Sequence, residues 1–226
     1  MPVFVMRVWL ADRPGALGAV AARIGGVGGD VTGIDILERG GDRVIDELTI
    51  DLPSEDMIGA LLESLKELDF VDVEDIRSVV AGLPYPLIDA LEVSADLISG
   101  AGVAVLFDLL VAGVAGVFSG WAAVVDPEGP VVLSASGDAP AAPWLEAFVT
   151  GTRAANRELS GRAGAANDVA WAGLEVSGLA LLVGRAGRPF RSRERRQLAT
   201  LARIADHRWR ELVVRDGKRA HPARSS

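Results

Sequence analysis

The chain has 226 residues, half of them hydrophobic, with 26 Gly, no Cys and a net charge of −8. That length suits two small domains, each with its own core, and the missing cysteine excludes disulfides, thiolate metal sites and cysteine nucleophiles. Residues 1–80 carry 16 acidic against 7 basic side chains, whereas residues 81–226 carry 15 against 16, so the first part of the chain would repel a phosphate backbone.

Val3–Leu10 is β-branched and aromatic, which predicts a strand. From Gly15 to Val27 the apolar residues Leu17, Val20, Ala21, Ile24 and Val27 fall at helical spacing, and four glycines between Gly25 and Gly29 stop the helix. Val31–Glu38 reads as a second strand and Arg39–Asp42 as a hairpin turn. In Arg43–Leu52, Val44, Leu48, Ile50 and Leu52 alternate with Glu47, Thr49 and Asp51, the pattern of a strand with one wet face. Pro53-Ser54 is expected to open a second helix, with Glu55 and Asp56 in its first turn and a stripe of Ile58, Leu61, Leu62, Leu65 and Leu68. Phe70–Val80 closes the set as a strand. The order is βαββαβ, which predicts a ferredoxin-like antiparallel sheet with both helices on one face.

Residues 81–86, with two prolines, read as a linker. Leu87–Ser99 has helical spacing, while Val103–Ala112 fits a helix or a strand equally. Leu97–Val125 contains a single charge, Asp108, and Gly116 and Gly120 are spaced as in a helix-dimer face; interrupting glycines and the lack of Lys or Arg between Ser78 and Thr152 favour buried core over a membrane span. Ser119–Val125 and Val131–Ser136 flank a turn at Asp126–Pro130, and Val169–Val176 and Leu179–Arg185 flank Ser177-Gly178, so two hairpins are expected around a helix at Trp144–Leu159. Ser192 is placed to cap a long helix, Arg193–Val213. The expected organisation is a domain over 1–80, the linker 81–86, an α+β domain over 87–214 and a disordered polar tail over 215–226.

The usual catalytic inventory is thin. There is no Walker A pattern, no complete GxGxxG and no GxSxG elbow. His207 and His221 are the two histidines, a poor start for a metal site, and no metal or cofactor is expected. Weight therefore moves from catalysis to binding and regulation. The lack of cysteine and of a secretory leader pattern favours the cytoplasm.

The first eighty residues resemble the ACT domain, a βαββαβ module that commonly binds amino acids and regulates metabolic enzymes or transcription. The resemblance rests on Asp12-Arg13-Pro14-Gly15-Ala16-Leu17-Gly18 after the first strand, on Val31–Ile36 after a Gly-rich helix end, and on the order of the six elements. It implies a ligand site at Asp12, Arg13, Pro14, Gly15, Ala16, Leu17, Asp30 and Val31. Physics permits this: a helix N-terminus offers free N–H donors and a partial positive charge to an α-carboxylate, Pro14 fits a first helical turn, and Asp12 can cap it. Many amino-acid-binding family members carry Asn where this chain has Asp30. An ionised Asp accepts only, so it would favour a ligand's ammonium group, or mark a degenerate site. Asp30 is expected to lie beside the loop. The family also implies a homodimer, with sheets joined side by side and ligands at the seam, which removes an exposed edge strand.

The remainder is similar to a GAF domain through the helix Leu87–Ser99, the hairpin around Asp126–Gly129, and Pro189–Glu194 leading into a long helix. GAF domains are sensory modules that often dimerise through terminal helices; this chain lacks the Cys that some use to hold a chromophore. Together the resemblances imply a non-enzymatic sensor whose partner is a small effector, an amino acid. The alternative is a regulatory subunit of a separate metabolic enzyme with a vestigial site. An enzyme hidden among the carboxylates ranks below these. So does a nucleic-acid regulator using Arg185–Arg224, where 13 basic residues face 4 acidic ones.

Overall fold

The computed structural model describes residues 1–79, 86–129, 131–158 and 168–220. The protein is α+β, with two four-stranded antiparallel sheets and six helices among the described residues. It divides into two compact units, the second beginning with the helix that opens at Pro86. The linker assignment at 81–85 falls outside the described residues.

The first unit contains β1 (Val3–Ala11), α1 (Ala16–Gly26), β2 (Asp30–Gly40), β3 (Arg43–Asp51), α2 (Met57–Lys66) and β4 (Val71–Ser78). Strand order is β2-β3-β1-β4, with every neighbouring pair antiparallel. The two-residue period of a strand decides which side chains face inward. Phe4, Met6, Val8 and Leu10 of β1, with Val44, Leu48 and Ile50 of β3, meet Val20 and Ile24 of α1 and Leu61 and Leu65 of α2. Each such burial contributes about 1.5–3 kcal/mol. On the opposite face Arg7 lies directly across from Glu47 and is paired with it at 2.8 Å. The second helix begins later than composition suggests. Pro53–Asp56 stay outside it, and no acidic residue lies in its first turn.

The second unit contains α3 (Pro86–Ser99), α4 (Val103–Phe118), β5 (Trp121–Asp126), β6 (Val131–Ser136), α5 (Ala142–Glu158), β7 (Val169–Leu174), β8 (Leu179–Gly184) and α6 (Ser192–Ala220). Its sheet runs β6-β5-β8-β7. One face packs on α3, α4 and α6 through residues such as Leu97, Leu110, Leu181 and Leu201. The other face packs on α5 through Leu145 and Val149. Covered on both sides, the central strand β8 is buried at all six positions. This explains its unbroken apolar run.

The segment that fits helix or strand is helical. In α4 the buried residues Leu106, Phe107, Leu110, Val111, Val114, Ala115 and Phe118 repeat at three and four. Its one charge, Asp108, accepts a hydrogen bond from the Ser134 hydroxyl at 2.6 Å. Among the described residues no helix is long and apolar enough to cross a membrane. Strand β5 starts at Trp121 rather than Ser119, because Ser119 caps α4 in the left-handed region (φ 52°). The last helix runs on to Ala220, so residues 215–220, assigned to a disordered tail, are helical; 221–226 lie outside the described residues.

Candidate functional site

The loop between β1 and α1 is tied down on two sides. The Asp12 N–H donates to the Asp42 carbonyl at 2.8 Å, and the Ala11 N–H to the Phe70 carbonyl at 3.1 Å. The Arg13 guanidinium lies over the Phe70 ring, 4.4 Å from its centroid. Asp12, Arg13, Pro14 and Gly15 are exposed, Ala16 is buried and Leu17 is half-buried.

The cap differs from the sequence reading. Helix α1 starts at Ala16, so Pro14 precedes the first turn rather than filling it. No side chain caps the helix, Asp12 included; the N-cap is Gly15, in the left-handed region at φ 87°. That conformation is cheap only for glycine. A side chain at Gly15 or Gly18 would meet nothing within 4 Å, so the space above the first turn is open. The Ala16 N–H turns back to the Arg13 carbonyl at 3.3 Å, and the Ala19 N–H starts the helical ladder on Gly15. Among the described residues this leaves the Leu17 and Gly18 N–H groups as open donors. A carboxylate or similar anion suits them.

Asp30 is not beside this loop. It pairs with Asp51, which also pairs with Val3 at the start of β1, while Ala11 pairs with Arg43 at the other end. Eight residues of strand, about 26 Å at 3.3 Å each, separate the two ends. The Asp30 carboxylate is also engaged, accepting the Val31 N–H at 2.8 Å. Val31 is half-buried and packs against the core next to Ile50. Of the eight expected site residues, Asp12 to Leu17 lie together; Asp30 and Val31 lie at the far end of the sheet.

Sequence reading passes over Asp46. Counting in twos from Val44 to Leu48 puts it on the apolar face of β3, and that periodicity alone would have flagged it. It is 4% exposed, and its Oδ1 has no hydrogen-bond partner among the described residues. Burial pushes its pKa above the ordinary 3.8; Arg39 acts against this rise and Asp12 with it.

Concavities lie elsewhere among the described residues. One, of about 660 Å³, runs between α2 and β4 with an acidic rim of Asp69, Asp72, Glu74 and Asp75. Another, of about 710 Å³, lies at one end of the second sheet, where Trp121, Trp144, Asp138 and Asp168 line it. No group of three His, Cys, Asp or Glu placed to hold a metal ion occurs among the described residues.

No family model matches the chain, and no curated protein matches it. A crystal structure described as that of an unknown protein from Galdieria sulphuraria is similar at 12% identity, covering 91% of this chain and 92% of that one, with a TM-score of 0.30. A likeness of that degree carries no argument about fold or function.

Proposed function

We propose that this protein is a non-catalytic regulator. Its first unit is a ferredoxin-like ACT domain that takes a small effector, an amino acid, at the loop Asp12–Leu17, and its second unit is a GAF-like signalling or dimerisation domain. The observation that carries the reading is the uncapped start of α1. A left-handed Gly15, open space and the free N–H groups of Leu17 and Gly18 form a receptor for a carboxylate.

The site is wet in one copy, since Asp12 to Gly15 are exposed. It is completed by a homodimer. Strand β2 is a sheet edge of eleven residues, carrying Ile34 at 51% and Ile36 at 41% exposure. An edge of this kind invites pairing. Joined antiparallel to its own copy about a twofold, β2 brings Asp30 of one protomer to the Gly40 end of the other, beside the second copy's loop.

A second reading is supported by Asp30. Its Oδ1 accepts the N–H of the adjacent Val31 within the same copy. This fits a vestigial site in a regulatory subunit of a separate metabolic enzyme. Thermal-shift and calorimetric titration of the full chain with the twenty L-amino acids separates the two. An effector at 100 times its Kd should stabilise the protein by about 2.7 kcal/mol. No response to any amino acid, together with a monomer at micromolar concentration in ultracentrifugation, overturns the first reading.

A further inference from the structure

We infer that the cavity at one end of the second sheet binds an organic cation, a ligand whose positive charge sits on an alkylated ammonium group. The site lies within the second unit and stands independently of the reading of the loop Asp12–Leu17.

The walls are aromatic. Trp121 opens β5 and pairs across the sheet with Gly184, at the end of β8. Its indole lies on that glycine, where any Cβ would collide with it. Trp144, in the first turn of α5, stands at 85° to Trp121 with the ring centroids 6.2 Å apart. It is in turn stacked on Phe148 at 5.2 Å. One face of each indole is thus covered, and both rings line the cavity. Trp144 keeps 43% exposure, a large apolar surface left in water. Two indoles at a right angle form a corner suited to a cation that carries methyl groups: the ring quadrupoles attract the charge, and the methyls meet apolar surface.

The charge of the lining favours a cation over a neutral guest. Among the described residues its ionisable members are Asp138, Asp168 and Arg185. Arg185 is already engaged. Its guanidinium pairs with Glu194 at 2.7 Å, donates to the Arg188 and Pro189 carbonyls at 3.1 Å, and lies over the Phe190 ring at 4.2 Å. Neither Glu194 nor Phe190 lines the cavity. The carboxylates of Asp138, exposed, and Asp168, half-buried, have no hydrogen bond or ion pair among the described residues. The Asp168 carbonyl accepts the Arg185 N–H at 3.0 Å, which fixes that residue at the sheet end. The start of α5 adds about half a positive charge, less than the two carboxylates supply. Alkylation removes N–H donors and spreads the charge over methyl groups. Such a cation sheds its water cheaply and needs no directed acceptor, which matches two free carboxylates beside an aromatic corner.

The test uses the full chain, with choline and tetramethylammonium as probes and, as control, the neutral alcohol in which carbon replaces the choline nitrogen. Wild-type protein should bind choline about 5- to 30-fold more tightly than the alcohol, the range that cation–π contacts supply. In proton–nitrogen NMR spectra the indole N–H signals of Trp121 and Trp144, identified through Trp121→Phe and Trp144→Phe, should shift. Those of Trp9 and Trp209, which do not line the cavity, should stay. Combining Asp138→Asn with Asp168→Asn should remove the preference for choline and leave binding of the alcohol unchanged. Should that variant fold poorly, the comparison of choline with the alcohol on wild-type protein decides alone. Equal binding of the two shows a merely apolar pocket and overturns the inference. So does the lack of any response to both cations at millimolar concentration, or a response in which Trp9 and Trp209 shift as much as Trp121 and Trp144. None of these outcomes bears on amino-acid binding at Asp12–Leu17.

Discussion

Removing the Asp206 carboxylate should destabilise the second unit strongly. Asp206 lies on α6 and is 4% exposed. Its Oδ2 accepts the Val176 N–H at 2.6 Å and its Oδ1 the Ser177 N–H at 3.0 Å, so one side chain holds the turn between β7 and β8. Each hydrogen bond to an ionised acceptor is worth about 1.5–3 kcal/mol, and truncation leaves both N–H groups without an acceptor. Allowing for non-additivity, Asp206→Ala should cost about 3–4 kcal/mol, a large share of the 5–15 kcal/mol typical of a folded domain. At about 2–4 °C per kcal/mol for a chain of this size, Tm should fall by roughly 10 °C. Asp206→Asn keeps one acceptor oxygen and should lose about half as much. Urea unfolding followed by circular dichroism gives both values, with an unchanged slope confirming that the native state is intact. A loss below about 0.5 kcal/mol for Asp206→Ala would show that the turn holds itself and that the two contacts add nothing.

Two further outcomes are expected. Because burial raises the Asp46 pKa in the folded state, the native protein holds that proton at pH values where the unfolded chain has released it. Its contribution to stability therefore falls as the pH rises from about 4 through the folded-state value. Asp46→Asn should match wild-type protein near pH 4 and gain on it towards pH 7 in urea titrations; a difference independent of pH would contradict the assignment. Gly184→Ala places a Cβ in collision with the Trp121 ring. The ring must move, at a cost of about 1–3 kcal/mol and with a visible change in tryptophan fluorescence. An unchanged spectrum and midpoint would refute that packing.

Periodicity made much of both units legible. The order of elements in the first unit follows from strand alternation and the leucine stripe of α2, since each pattern admits one face inward. The loop Asp12–Leu17 was legible as a strand-to-helix joint for the same local reason. Its capping was not. Composition favoured Asp12 and Pro14, yet the chain turns one residue later, at a left-handed Gly15. Either arrangement satisfies local propensity, and the anchoring of Asp12 on Asp42, thirty residues away, selects between them. The ambiguous apolar run at Val103 became α4 because three- and four-residue spacing continues to Phe118 and meets a sheet it can cover.

What the sequence determined by itself is local: which segments alternate at two and which at three to four, where glycine and proline interrupt them, and that no thiol chemistry is available. What the tertiary structure decided is which side chains meet. It set Asp30 about 26 Å from the loop it was expected to serve, at the other end of β1. It brought Asp46 into the apolar face without a donor for one of its oxygens. The physical reason is register. An antiparallel sheet sends neighbouring strands in opposite directions, so residues near in sequence separate by a strand's length. Residues thirty apart, such as Asp12 and Asp42, come into hydrogen-bonding contact.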